Sequence, residues 1–79
     1  MATILLVYND QDFAETLETF LTENGYDVTS LYDAELVEES AVQQLPDLII
    51  LDALLQKMNG FELCQVLKKN PKLSDIVYS

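Results

Sequence analysis

Apolar and polar residues come in blocks along the chain, and the spacing within them alternates between that of strands and that of helices. Residues 3–7, TILLV, form a short apolar run bounded by polar residues, as suits a strand buried on both faces. Tyr8-Asn9-Asp10 ends it, and Asp10 is placed to cap a following helix. Phe13, Leu17, Phe20 and Leu21 then fall at i, i+4, i+7 and i+8, one helical stripe, with Asp12, Glu15, Glu18 and Glu23 outside. Asn24-Gly25 stops this helix with residue types that tolerate a left-handed cap. Tyr26 to Leu31 reads as a second strand whose alternation leaves one face wetter, as at a sheet edge. Tyr32-Asp33-Ala34 is a turn. Ala34, Val37, Ala41, Val42 and Leu45 mark a second helix, which Pro46 ends. Leu48 to Leu51 is the most apolar strand, although periodicity alone leaves a helix open for so short a run. Phe61, Cys64, Val66 and Leu67 give a third helix ending near Asn70-Pro71, with Lys68 and Lys69 in its last turn, where positive charge suits the dipole. Ile76-Val77-Tyr78 begins another strand.

Strands alternating with helices of this length imply right-handed crossovers and a parallel α/β sheet. In open parallel sheets ligands bind beyond the C-terminal ends of the strands. Those ends are Tyr8-Asn9-Asp10, Leu31-Tyr32 and Asp52. If the first and third strands are neighbours, Asn9, Asp10 and Asp52 converge on one acidic pocket.

Composition narrows what such a pocket can do. The 79 residues suffice for one small domain, and 49% apolar content argues for a folded core. The single cysteine, Cys64, rules out an internal disulfide, reads as a small core residue and fits a reducing cytoplasm. Residues 1–8 carry no basic flank of a signal peptide, and no apolar run reaches the roughly 18 residues of a membrane span. Residues 1–56 hold twelve acids and no base, a formal −12, while the remainder carries +2, giving the net −10. Such a chain repels phosphate backbones, which argues against direct nucleic-acid binding. The bland reading of the charge is a solvated acidic surface; the functional one is attraction of a cation or a basic partner. With no histidine, no arginine, no glycine-rich phosphate loop and no nucleophile beside a base, an independent enzyme is not expected.

ILLVYND, GYDV, PDLIILDALLQKMNGFELCQVLKK and the Asp75-Ile76 pair, in this order, resemble the receiver domain of two-component response regulators. The segment 46–63 carries the most specific part: proline, aspartate, four apolar residues, aspartate, a loop, then an aspartate-glycine-like pair opening a helix. The resemblance implies a three-layer, flavodoxin-like parallel sheet of order 2-1-3-4-5. Residues 1–79 would supply one partial domain of about three and a half βα units, with the end of strand four, strand five and helices four and five absent. It places Asp52 at the phosphoacceptor position. It implies a weakly held Mg²⁺, with Asn9, Asp10, Asp52 and the Leu54 backbone carbonyl as ligands, and a histidine kinase or phosphotransfer protein as partner. A carboxylate can attack a phosphoryl group to form an acyl phosphate, and divalent cations of this kind choose oxygen ligands. Four positions depart from the pattern: Tyr8 and Asn9 stand where the family has two acids, Gln56 where the loop has a proline, and Asn59 where an aspartate precedes the glycine. The family's later hydroxyl residue and lysine are not matched; Ser79 sits too close to Ile76 for the former, and Lys57 reads as a solvated loop lysine.

An edge follows from the same comparison. Without further strands, the third strand is expected to expose unpaired backbone groups that template pairing with another chain. Leu48, Ile49, Ile50 and Leu51, with Ile76 and Val77, are therefore expected to form a self-association edge, and the 79-residue chain a homo-oligomer. Three functional expectations result: a phosphorelay receiver with Asp52 as acceptor, impaired on its own; a degenerate receiver acting as an interaction or dimerisation module; or an inactive truncated product.

Overall fold

A computed structural model of the chain describes residues 2–52, 55 and 59–78. The elements run β1 (Thr3–Val7), α1 (Gln11–Glu23), β2 (Asp27–Leu31), a short 3₁₀ turn (Ala34–Leu36), α2 (Val37–Gln44), β3 (Leu48–Leu51), α3 (Gly60–Lys69) and β4 (Val77–Tyr78). All strand pairs are parallel, in the order β2-β1-β3-β4. The first and third strands are thus neighbours, in the register Ile4 opposite Leu48 through Val7 opposite Leu51.

Alternation along the strands divides the core between the two faces of the sheet. Leu5 and Val7 of β1 and Ile49 of β3 pack with Val37 and Ala41 of α2, Leu63 and Leu67 of α3, and Leu73. Ile4 and Leu6 point to the other face and are also buried, as is Ala14 of α1. The N-terminal ends of β1 and β3 are clamped by Asp47, whose Oδ2 accepts from the Thr3 N–H at 2.8 Å while its own N–H donates to the Thr3 carbonyl at 2.8 Å. Among the described residues no buried side-chain nitrogen or oxygen lacks a hydrogen-bond partner, and no helix is long and apolar enough to cross a membrane.

The helix boundaries follow the capping chemistry expected of them. Asp10 caps α1, and α1 ends at Asn24 with Gly25 at φ +92°, a conformation glycine adopts without a Cβ clash. The inward faces differ from the aromatic stripes. On α1 the buried face centres on Ala14, with Leu17 and Leu21 half-buried, while Phe13 is exposed and Phe20 is 60% exposed. On α3 it is Gly60, Leu63 and Leu67; Phe61 is 75% exposed and Cys64 only half-buried. One helical residue is about 100° of rotation, so Phe13 and Phe61 each sit one step off a stripe of smaller residues that lets the helix lie close on the sheet.

Leu45 is the other departure. Instead of continuing the buried face of α2, it is the C-cap, left-handed at φ 47°, and 57% exposed. A branched side chain there is strained, and the exposed leucine recovers little by burial. Leu45→Gly is expected to raise stability by about 0.5–1 kcal/mol, read as a higher urea midpoint with an unchanged slope.

The edge differs from expectation too. β4 lies along β3, with Leu48 opposite Val77 and Ile49 opposite Tyr78, so Leu48 and Ile49 are covered within the chain. The turn through Leu73–Ile76 brings the tail alongside: the Leu73 N–H donates to the Asn70 carbonyl, and the Ile76 N–H to the Leu73 carbonyl. Ile76 therefore belongs to the turn and packs on the core. The tail is fastened by Tyr78, whose hydroxyl donates to the Leu73 carbonyl at 3.0 Å and whose ring lies 5.7 Å from the Lys68 ammonium. Burial, and secondarily the charge of Cys64, push the Tyr78 hydroxyl above the usual tyrosine range. Val77 remains 62% exposed, and Ile50 and Leu51 extend past the described part of β4.

Candidate functional site

Adjacent parallel strands bring the segment after β1 and the residue after β3 to the same end of the sheet. The Asp52 N–H donates to the Val7 carbonyl at 2.8 Å, carrying the ladder one step past β3 and fixing where its carboxylate begins. The Tyr8 N–H does the same on the other side, donating to the Leu31 carbonyl at 3.2 Å. Asp52 is half-buried, and its Oδ2 accepts from the Asn9 N–H at 3.4 Å, a long bond by ordinary standards. Asn9 and Asp52 are thus brought together, as the strand order requires.

Asp10 is turned to another task. Its backbone is extended (φ −89°, ψ 108°), and Oδ1 accepts from the Phe13 N–H at 3.2 Å, satisfying one of the orphan donors of α1. The ring of Tyr8, half-buried, meets that of Phe13 with centroids 5.1 Å apart and planes tilted by 45°. That contact spans the cap from outside the helix to its first turn, much as a hydrophobic staple does. No periodicity points to this contact, because Tyr8 follows β1 and Phe13 lies within α1.

The exit of the loop after Asp52 is also structural. Asn59 caps α3: its Oδ1 accepts from the Glu62 N–H at 2.8 Å, and its Nδ2 donates to Glu62 Oε1 at 3.0 Å. The expected backbone ligand Leu54, and Gln56, Lys57, Met58 and Ser79, lie outside the described residues.

The donors do not fit a divalent cation well. A hard cation of this size gathers its affinity from carboxylate charge, and of Asn9, Asp10 and Asp52 one is neutral and one already caps a helix. Among the described residues no three of His, Cys, Asp and Glu gather into a metal-holding group.

The comparisons agree with this architecture. The family model described as the response regulator receiver domain matches residues 4–79. The transcriptional regulator RpaA of Synechocystis sp. is 37% identical over 76 residues, covering 96% of this chain and 32% of that protein. The response regulator ArlR of Staphylococcus aureus is 35% identical over 77 residues, 98% of this chain and 35% of its own length. The chain therefore spans about a third of these curated relatives, and a tenth of another, RcaC of Microchaete diplosiphon. Among solved structures, a putative response regulator from Chloroflexus aurantiacus superimposes with a TM-score of 0.92 at 31% identity, covering 98% of this chain and 63% of that one. The signal receiver domain of a histidine kinase from Syntrophus aciditrophicus gives 0.91 at 33% identity, covering 99% and 59%. By its sheet order, its strand-end aspartate and the match along nearly its whole length, the chain belongs to the response regulator receiver domain family.

Proposed function

We propose that this receiver module carries its phosphoacceptor at Asp52, and that phosphoryl transfer there is slow. The observation that supports the reading is the place of Asp52 at the C-terminal end of β3, one residue past the ladder, facing the Asn9 N–H. In the reaction a carboxylate oxygen attacks the phosphorus of the donor, a phosphorus–oxygen or phosphorus–nitrogen bond to the leaving group breaks with its electron pair, and the leaving group takes a proton. The product is an acyl phosphate on Asp52. A histidine kinase or a phosphotransfer protein is the natural donor. The rate suffers because charge spread over the transferring oxygens needs compensation, and Asn9, whose N–H reaches Asp52, brings no charge with which to hold a compensating cation. The test is intact-mass spectrometry after incubation with acetyl phosphate. A minor phosphorylated fraction is expected in the wild type and none in Asp52→Asn; equal labelling of both, or labelling of neither, sinks the reading.

A second reading, that the 79-residue chain self-associates, rests on Val77. Among the described strands β4 pairs with β3 alone, and Val77 presents an exposed β-branched residue there. A second copy of the chain pairing along β4, beyond the reach of the covered Leu48 and Ile49, is the occupant proposed.

A further inference from the structure

We infer that Asp10 is a helix cap and not a metal ligand, so that the strand-end pocket is one carboxylate short and does not saturate with Mg²⁺ below about 1 mM. Three observations point the same way. The Asp10 Oδ1 is bonded to the Phe13 N–H, and the Asp10 carbonyl accepts from the Ala14 N–H at 3.0 Å, so both its side chain and its backbone are committed to the first turn of α1. The Tyr8 ring against Phe13 pins that turn from the outside, and Tyr8 itself brings no carboxylate to the end of β1. Asn9, the residue whose N–H reaches Asp52, adds a neutral side chain.

Recruiting Asp10 to a cation would open its cap, and a lost cap is worth roughly a fivefold change in an equilibrium constant. Of the three expected side-chain ligands, only Asp52 would then bring charge to the cation without opening a cap. Tyr8, Asp10 and Phe13 thus form one local device that starts α1 firmly at the expense of the pocket. The role of Asp10 is independent of whether Asp52 accepts a phosphoryl group, so failure of either reading leaves the other standing.

The experiment is a titration of the 79-residue chain with Mg²⁺ alone, followed by amide NMR shifts at residues 9, 10 and 52. Asp10→Asn keeps a side-chain oxygen that caps as well as aspartate does while removing the charge. The wild type is expected to show no saturation at concentrations up to the ~10⁻³ M that carboxylate-rich sites reach, and Asp10→Asn the same response with an unchanged thermal midpoint. Asn9→Asp is expected to gain saturable binding, tenfold or more tighter than wild type. Saturation of the wild type below about 1 mM, weakened tenfold by Asp10→Asn, would overturn the assignment. Failure of a folded Asn9→Asp to gain affinity would overturn the charge account.

Discussion

Leu5→Ala is expected to cost about 3 kcal/mol and to leave much of the chain unfolded at moderate urea concentrations. Leu5 lies in an inner strand, fully buried, with Thr29 and Ile49 opposite it in register. It belongs to the cluster that joins β1 and β3 to α2, α3 and Leu73, so the cavity would open where three layers of contact meet. A chain of 79 residues has a stability of roughly 4–12 kcal/mol, and the loss is a large part of that. Phe20→Ala removes a larger side chain but should change stability by only about 0.5 kcal/mol, because Phe20 already faces water. Urea denaturation of the pair separates the two positions; near-equal losses would show that the α1 face of the sheet carries as much of the core as the opposite one.

The contrast between these two residues also marks how far the sequence could be read. Strand and helix order, and the caps at Asp10 and Asn24-Gly25, rest on local chemistry and are legible, whereas the Asn59 cap of α3 is shown only by its bond from the Glu62 N–H. The neighbouring of β1 and β3 followed from the resemblance, and with it the meeting of Asn9 and Asp52. The inward faces of α1 and α3 are legible only in part: Leu67 is buried and Leu17 and Leu21 are half-buried as their spacing predicts, but close packing of a helix on a sheet puts small residues such as Ala14 and Gly60 inside and Phe13, Phe20 and Phe61 outside. The left-handed Leu45 was illegible for a related reason: an apolar residue at helical spacing says nothing of its own backbone angle. At the pocket the ambiguity is chemical. An aspartate after a strand suits a cation and suits a helix start equally well, and only the placement of the Phe13 N–H decides between them. The cover of β3 by β4 is implied by the strand at Ile76-Val77-Tyr78 and the 2-1-3-4 order, and the expectation of a bare third strand overlooks it; only the turn through Leu73 that brings the tail alongside is a tertiary matter.

Val77→Lys is expected to abolish the self-association proposed for the 79-residue chain and leave a monomer, seen by sedimentation velocity at about 50 µM, within the range where exposed edges drive association. The wild type should sediment heavier than a single chain. Lysine at an edge blunts pairing because its ammonium must stay hydrated while the neighbouring strand closes in. Charge alone predicts the reverse result. The chain carries a net −10, so two copies repel, and adding a positive charge lowers that repulsion. A monomeric Val77→Lys therefore identifies strand pairing at β4 as the cause, with Val77→Thr, still β-branched, retaining association as the matched control. Salt gives an independent sign: screening the repulsion should strengthen wild-type assembly, whereas an ion-paired interface would weaken. If the wild type is monomeric at both low and high salt, the edge is closed by its own short strand, and the exposure of Val77 carries no partner with it.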